Sequence, residues 1–318
     1  MRYSLVSRFR GTLLGVLLGQ TLAKDYNHKS QSCLNLSKMA ILGTESLIAL
    51  GKLDLDDWLE RQQQKSLHLD TTDELSPRAI LATIPVALFF HENKIKLRQN
   101  LLGVLKIWED DPVIRDATLA IGYAIAQSLT ENLEPRTLIP QTISFLGETS
   151  TSLPEQLLKV NDLLEQGAGL ERVQAELSKQ EKWSNAIAVA FYCFLSTLED
   201  FRLAVLRATD NSNVWRQETW PLRPQIIGAI TGALSGAYNS TVGIPVKWQV
   251  SLSQANSSAW ELTSFSQMLK LADALVAVWS GVYSIAPYPS EFLPEESVMS
   301  EEQALLCVYA APRVIRSR

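Results

Sequence analysis

The chain has 318 residues, 46% apolar and 20% charged, enough apolar surface for a large buried core, which excludes disorder over most of its length. Its formal net charge of −5 removes a global electrostatic case for nucleic acid, since phosphate binding needs clustered Lys and Arg. Cys33, Cys193 and Cys307 are odd in number, far apart and set among apolar residues, so they read as buried thiols in a reducing, cytoplasmic compartment rather than as a disulfide framework.

The opening stretch imitates a secretory signal, with Arg2, Arg8 and Arg10, an apolar run from Gly11 to Leu18 and a small-residue end at Thr21-Leu22-Ala23. Gly11, Gly15 and Gly19 fall on one helical face, however, which gives the stretch the job of a packed helix. These arginines, and Arg313, Arg316 and Arg318 at the other end, read as solvated tails. Met39, Leu42, Ser46 and Ala49 mark a helix ending near Gly51, and another runs from Leu53 to Gln64 after a turn through Asp54. Helices follow over about Pro77 to His91, Leu97 to Trp108 and Pro112 to Leu129. The acids Glu109, Asp110 and Asp111 before Pro112 complement its helix dipole.

Glu131 to Pro140 reads as a loop. Ser152 and Glu155 form a capping box with Pro154 in the first turn, and that helix stops at Gly167 to Gly169. Leu170 to Lys182 comes next, then the charge-free Trp183 to Leu198, which belongs in the middle of the molecule. Phe201 to Ala208, Gln225 to Tyr238 and Ser257 to Tyr283 complete the helices, with loops at Asn211 to Pro224 and Ala286 to Glu296. The uncharged run from Pro224 to Val246 could span a bilayer by length, but Asn239, Ser240, Thr241, Gly243 and Pro245 break it, so a buried helix followed by a loop is expected and no membrane span. No strand keeps its alternation, and no linker or charge boundary divides the chain. The expectation is one all-α domain over residues 1–318.

The second glycine set, Gly228, Gly232 and Gly236, repeats the spacing of the first, with Ala229, Ala233 and Ala237 alongside. Glycine inside a helix costs about 0.5 to 1 kcal/mol relative to alanine, so three per helix need compensation from close approach. Tight helix packing is one reading. A bare face that lets a ligand or a helix end come near is the other.

The run from Arg8 to Ala23 resembles the opening helix of the ADP-ribosylglycohydrolases, Arg-x-x-Gly-Ala-x-x-Gly-x-x-x-Gly-Asp-Ala-x-Gly, and its end differs at Gln20, in place of Asp, and at Ala23, in place of Gly. The helix from Met39 is similar to that family's second landmark, and Trp183 to Leu198 to its apolar helix before the last metal motif. Asp200 to Ala204, Ile230 to Tyr238, and Gly243-Ile244-Pro245 with Trp248 complete the pattern over roughly residues 8–250, leaving 251–318 as C-terminal helices and tail. The resemblance implies an all-helical fold and two magnesium ions that help cleave the bond from ADP-ribose to a protein side chain. Such a pair needs several oxygen ligands with enough negative charge to offset about four positive units.

The family supplies these from a Thr-Asp-Asp-Thr run before its second helix and an Asp-Thr-Asp-Thr run before its Gly-Ala helix. Counted back from Met39, the first run falls on Leu34, Asn35, Leu36 and Ser37. The second falls on Asp210, Asn211, Ser212 and Asn213 by one count, and on Arg223, Pro224, Gln225 and Ile226 by another. Either way at most one carboxylate survives. The family's Gly-Asn-Gly segment before Pro85 reads Ser76-Pro77-Arg78, and its His before the Pro112 helix reads Glu109.

Other constellations are weaker. His68, Asp70, Asp73 and Glu74 read as a solvated loop capping the helix at Pro77. His28, His68 and His91 are not spaced as a zinc pair, and no Gly-x-Ser-x-Gly elbow exists. The loop with Trp215, Arg216, Trp220 and Arg223 carries residue types enriched in binding hot spots, so either a protein partner docks there or the two Trp rings cover the emptied cavity. The reading is therefore an ADP-ribosylglycohydrolase-like pseudoenzyme without metal, with a binding, regulatory or scaffold role. It keeps a vestigial pocket at Gln20, Asn35, Ser37, Asp210, Ser212 and Gln225 for weak ADP-ribose or nucleotide binding. Its rival is a divergent hydrolase that removes ADP-ribose from modified protein side chains and recruits Asp70, Asp73 and Glu109.

Overall fold

The computed structural model describes residues 3–23, 31–64, 79–107, 111–177, 182–209, 223–254 and 265–282. Every regular element among them is helical, as the patterning predicts. Helix α1 (Leu5–Leu22) opens on Ser4, whose hydroxyl accepts from the Ser7 N–H at 3.2 Å, and it is buried all round from Gly11 to Gln20. Helix α2 (Gln31–Leu50) ends where Gly51 takes φ +63° and donates to the Leu47 carbonyl at 2.9 Å, a left-handed stop that suits glycine. Asp54 starts α3 (Leu55–Gln64) by accepting from the Asp57 N–H at 3.3 Å.

The single helix expected from Pro77 to His91 is interrupted. Residues 79–82 are helical, the chain turns at Thr83, and α4 (Ile84–Phe89) begins anew. Pro85 has no N–H for the preceding turn and its ring crowds that turn; the Thr83 hydroxyl bonds the Ile80 carbonyl instead, at 2.7 Å. Helix α5 (Lys94–Leu105) starts earlier than expected because Asn93 accepts from the N–H groups of Ile95 and Lys96 at 3.0 Å. Helix α6 (Pro112–Leu129) has the expected bounds, with Asp111 accepting from the Val113 N–H at 2.7 Å.

The expected loop from Glu131 to Pro140 gives way to α7 (Leu138–Leu146), whose buried face is Leu138, Ile139, Thr142 and Leu146. Pro140 sits in its first turn, where a missing N–H costs nothing. Helix α8 (Leu153–Glu165) has the expected Pro in its first turn and Gly167 beyond its end at φ +63°, but the capping box is not made. Ser152 has helical angles and gives no side-chain cap bond; the Leu153 N–H donates instead to Thr151 Oγ1 at 3.4 Å.

After α9 (Leu170–Leu177) comes α10 (Lys182–Leu195), central as expected, with no side chain from Ala186 to Phe194 more than 2% exposed. Asp200 caps α11 (Phe201–Thr209) through the Leu203 N–H at 2.8 Å. Helix α12 (Arg223–Asn239) leads, as expected, out of helix by Asn239 and through a 3-10 turn (Thr241–Gly243), and then into α13 (Val246–Gln254), a helix in a stretch to which the sequence assigns no element. Helix α14 (Phe265–Ser280) is the described part of the last expected helix. Of the loop expected from Asn211 to Pro224, Arg223 and Pro224 already belong to α12, and residues 211–222, like the loop expected over 286–296, lie outside the described residues.

Helices α1 and α12 pair along the middle; α12 also packs against α6, α10 and α11, and α1 against α14. Two of the arginines read as solvated tail belong to this packing. Arg8 is 5% exposed and donates to the Ser128 carbonyl near the end of α6 and, at 2.7 Å, to Glu131, a cation where the helix dipole favours one. Arg10 joins α1 to α14 through two 2.6 Å bonds to Asp273. Arg2, Arg313, Arg316 and Arg318 lie outside the described residues. No described helix is long and apolar enough to cross a membrane.

Candidate functional site

The two glycine stripes meet face to face and antiparallel. Gly11 faces Gly236, Gly15 faces Gly232 and Gly19 faces Gly228, each so close that a Cβ on one would strike the backbone carbonyl of the other. The packing reading of the stripes is thus the one the structure carries: their bare faces are filled by each other's backbone. At such distances Cα–H groups touch carbonyl oxygens across the seam, a weak attraction repeated along it.

Antiparallel pairing fixes the geometry of the candidate site. It sets the C-terminal end of α1 beside the N-terminal end of α12, and Thr209, the last residue of α11, reaches the same corner, its methyl group 2.7 Å from where a Gly228 Cβ would stand. Gln20 and Gln225 are both buried there, each 3% exposed. Two sequence-predicted pocket residues are therefore brought to one corner. Asp210, next after Thr209, and Ser212 lie outside the described residues. Asn35 and Ser37 lie on α2, whose backbone is helical through 34–37; their side chains are outside the described part. Of the partner segment, Arg223 begins α12, while Trp215, Arg216 and Trp220 lie outside the described residues, as do His68, Asp70, Asp73, Glu74 and Glu109.

Tested against two magnesium ions, the described donors at this corner do not by themselves fit. Gln20 and Gln225 offer neutral amides, and hard divalent ions need charged oxygens. Among the described residues no three His, Cys, Asp or Glu side chains are grouped to hold a metal ion. What the described part of this corner offers is two buried amides, groups that both donate and accept hydrogen bonds.

Two further titratable groups, His91 and Cys193, lie buried among apolar side chains. His91 is buried, with the Nδ1–H donating to the Leu88 carbonyl at 2.7 Å and the ring packed against Phe9 and Trp279. Burial pulls its pKa down to about 4, so it is neutral near pH 7. Burial likewise pushes the Cys193 thiol up to about 12, which makes it inert. Cys307 and the Cys33 side chain lie outside the described residues.

Sequence reasoning missed one buried carboxylate. Asp116 on α6 is fully buried and accepts from the hydroxyls of Thr149 and Thr151, the latter at 2.6 Å, and from Arg115 Nε at 3.1 Å. It ties α6 to the turn ahead of α8. The signal was the Thr149-x-Thr151 spacing before a proline-started helix, and it points to a clamp rather than to chemistry.

The ADP-ribosylglycohydrolase family model matches residues 1–284, further at both ends than the motif resemblance over about 8–250. No curated protein matches the sequence. Fourteen chains of solved structures match. One, from an ADP-ribosylglycohydrolase-related protein complex, superposes with a TM-score of 0.58 at 16% identity, over 86% of this chain and 99% of that one. At that identity the likeness carries the fold alone. With the family model spanning most of the sequence and the fold agreeing, the chain belongs to the ADP-ribosylglycohydrolase family.

Proposed function

We propose that this chain keeps the ADP-ribosylglycohydrolase frame without its two-metal hydrolysis and serves as a binding, regulatory or scaffold protein. The observation that carries this reading is the residue set at the chemical positions. Leu34 and Leu36 stand where two ligands of the first acidic run belong, and an amide, Gln20, stands in place of the first helix's Asp. Leucine cannot ligate magnesium, and the described neutral donors leave about four positive units without compensation. The helical backbone through 34–37 supports the same view, because the family's first run precedes its second helix whereas here it lies inside α2.

On this reading the pocket at Gln20, Asn35, Ser37, Asp210, Ser212 and Gln225 binds ADP-ribose or a nucleotide weakly and independently of magnesium. The segment with Trp215, Arg216, Trp220 and Arg223 meets a protein partner, through aromatic and guanidinium side chains suited to such contacts. Calorimetric titration with ADP-ribose, with and without magnesium, is the test. The expected result is the same weak affinity in both arms. Tight binding only with magnesium, or release of ADP-ribose from ADP-ribosylated arginine, overturns the proposal in favour of a divergent hydrolase.

A further inference from the structure

Aliphatic side chains stand exposed at the opposite end of α12 from the candidate site. Val242 and Val246 are 71% and 72% exposed and Val250 43%, and on α11 Leu203 and Leu206 are 42% and 40% exposed. The two groups sit on touching elements, for Phe201 and Trp248 meet edge to face at 6.3 Å and Gly243 packs against the Phe201 Cβ. Single exposed aliphatics need no explanation, but a group on adjoining elements marks a surface that something covers.

We propose that the chain's own C-terminal run Ala304-Leu305-Leu306-Cys307-Val308-Tyr309-Ala310-Ala311 covers this face. The run holds no charge and lies beyond the family match. Its tether begins close by. The described chain ends just past α14, whose Trp279 packs on Phe9 at 6.4 Å, while Ser7, two residues from Phe9 on α1, bonds Thr241 beside Val242 at 2.7 Å. The roughly 20 residues between Val282 and the run reach about 70 Å when extended. A tether of that kind supplies a local concentration on the order of millimolar, enough for a modest apolar contact to persist.

Hydrogen exchange on the full chain tests the proposal, with Val246→Glu as the variant, since an exposed position does not threaten folding. In the wild-type chain, amides of 304–311 should exchange at least about tenfold more slowly than unstructured peptide, and Val246→Glu should abolish that protection. A Val246→Cys chain should form, under mild oxidation, a disulfide to Cys307 within one molecule. Unprotected amides in the wild type overturn the proposal. So does protection that survives Val246→Glu, or a disulfide joining two differently labelled chains, which would make a second copy the occupant.

Discussion

Ser240 holds φ 58° and ψ −169° while fully buried at the end of α12, a backbone region that is almost the preserve of glycine and costs about 1 to 3 kcal/mol for other residues. Its hydroxyl accepts from the Val242 N–H at 3.2 Å and so offsets part of that cost. Ser240→Gly should stabilise the protein by about 1 kcal/mol after the entropy of the freed backbone is counted. Ser240→Ala, which keeps the strain and loses the acceptor, should destabilise it; urea midpoints of the pair check both signs. His91 gives a second prediction. Its pKa of about 4 in the folded state lies below the unfolded value of about 6.5. As pH falls through that window, the unfolded chain takes up a proton that the native state refuses. Stability should therefore drop on acidification by up to about 1.4 kcal/mol per pH unit. Denaturant midpoints between neutral pH and the folded pKa should show this slope, and His91→Gln should flatten it.

The α1–α12 seam makes glycine substitutions diverge in sign. At Gly15 or Gly232 an added methyl meets backbone that cannot give way, so Gly15→Ala should cost at least about 1 to 3 kcal/mol, the range for overpacking. At Gly103 on α5 the nearest atom to an added Cβ is Leu53 Cδ2 at 3.8 Å, so Gly103→Ala should stabilise by about 0.5 to 1 kcal/mol. Thermal unfolding of the two variants tests the contrast. The same pair shows what the sequence can and cannot disclose. Gly11, Gly15 and Gly19 announce a stripe by spacing, and so do Gly228, Gly232 and Gly236, but only tertiary structure says that each stripe fills the other. Long periodic helices such as α6 and α10 are legible because their burial pattern repeats. Helices α7 and α13 were missed because each opens beside a proline that reads equally as a loop, and the break at Thr83 because Pro85 sits inside a run apolar on every side.

Taken as one body, the chain depends on its first helix. Phe9, Leu13, Leu14, Val16, Leu17 and Leu18 are each at most 2% exposed, and burying one such side chain contributes about 1.5 to 3 kcal/mol. Their sum reaches the whole net stability of an ordinary domain, about 5 to 15 kcal/mol. A chain lacking the first 23 residues should therefore show no cooperative melt by circular dichroism. The stretch that imitates a secretory leader is thus the core's centrepiece. The candidate site was legible only through family resemblance: Gln20 and Gln225 stand some two hundred residues apart, and nothing in periodicity or composition joins them until the seam does.

That separation has a cost in time. Gly19 is synthesised roughly 200 residues before Gly228, and at about 5 to 20 residues per second the wait is on the order of 10 to 40 seconds. Throughout it α1 carries a naked backbone groove flanked by leucines, with no native surface yet made to receive it. The α1–α12 seam therefore cannot close until the chain has been made past Gly236, and the first helix must wait for its main partner.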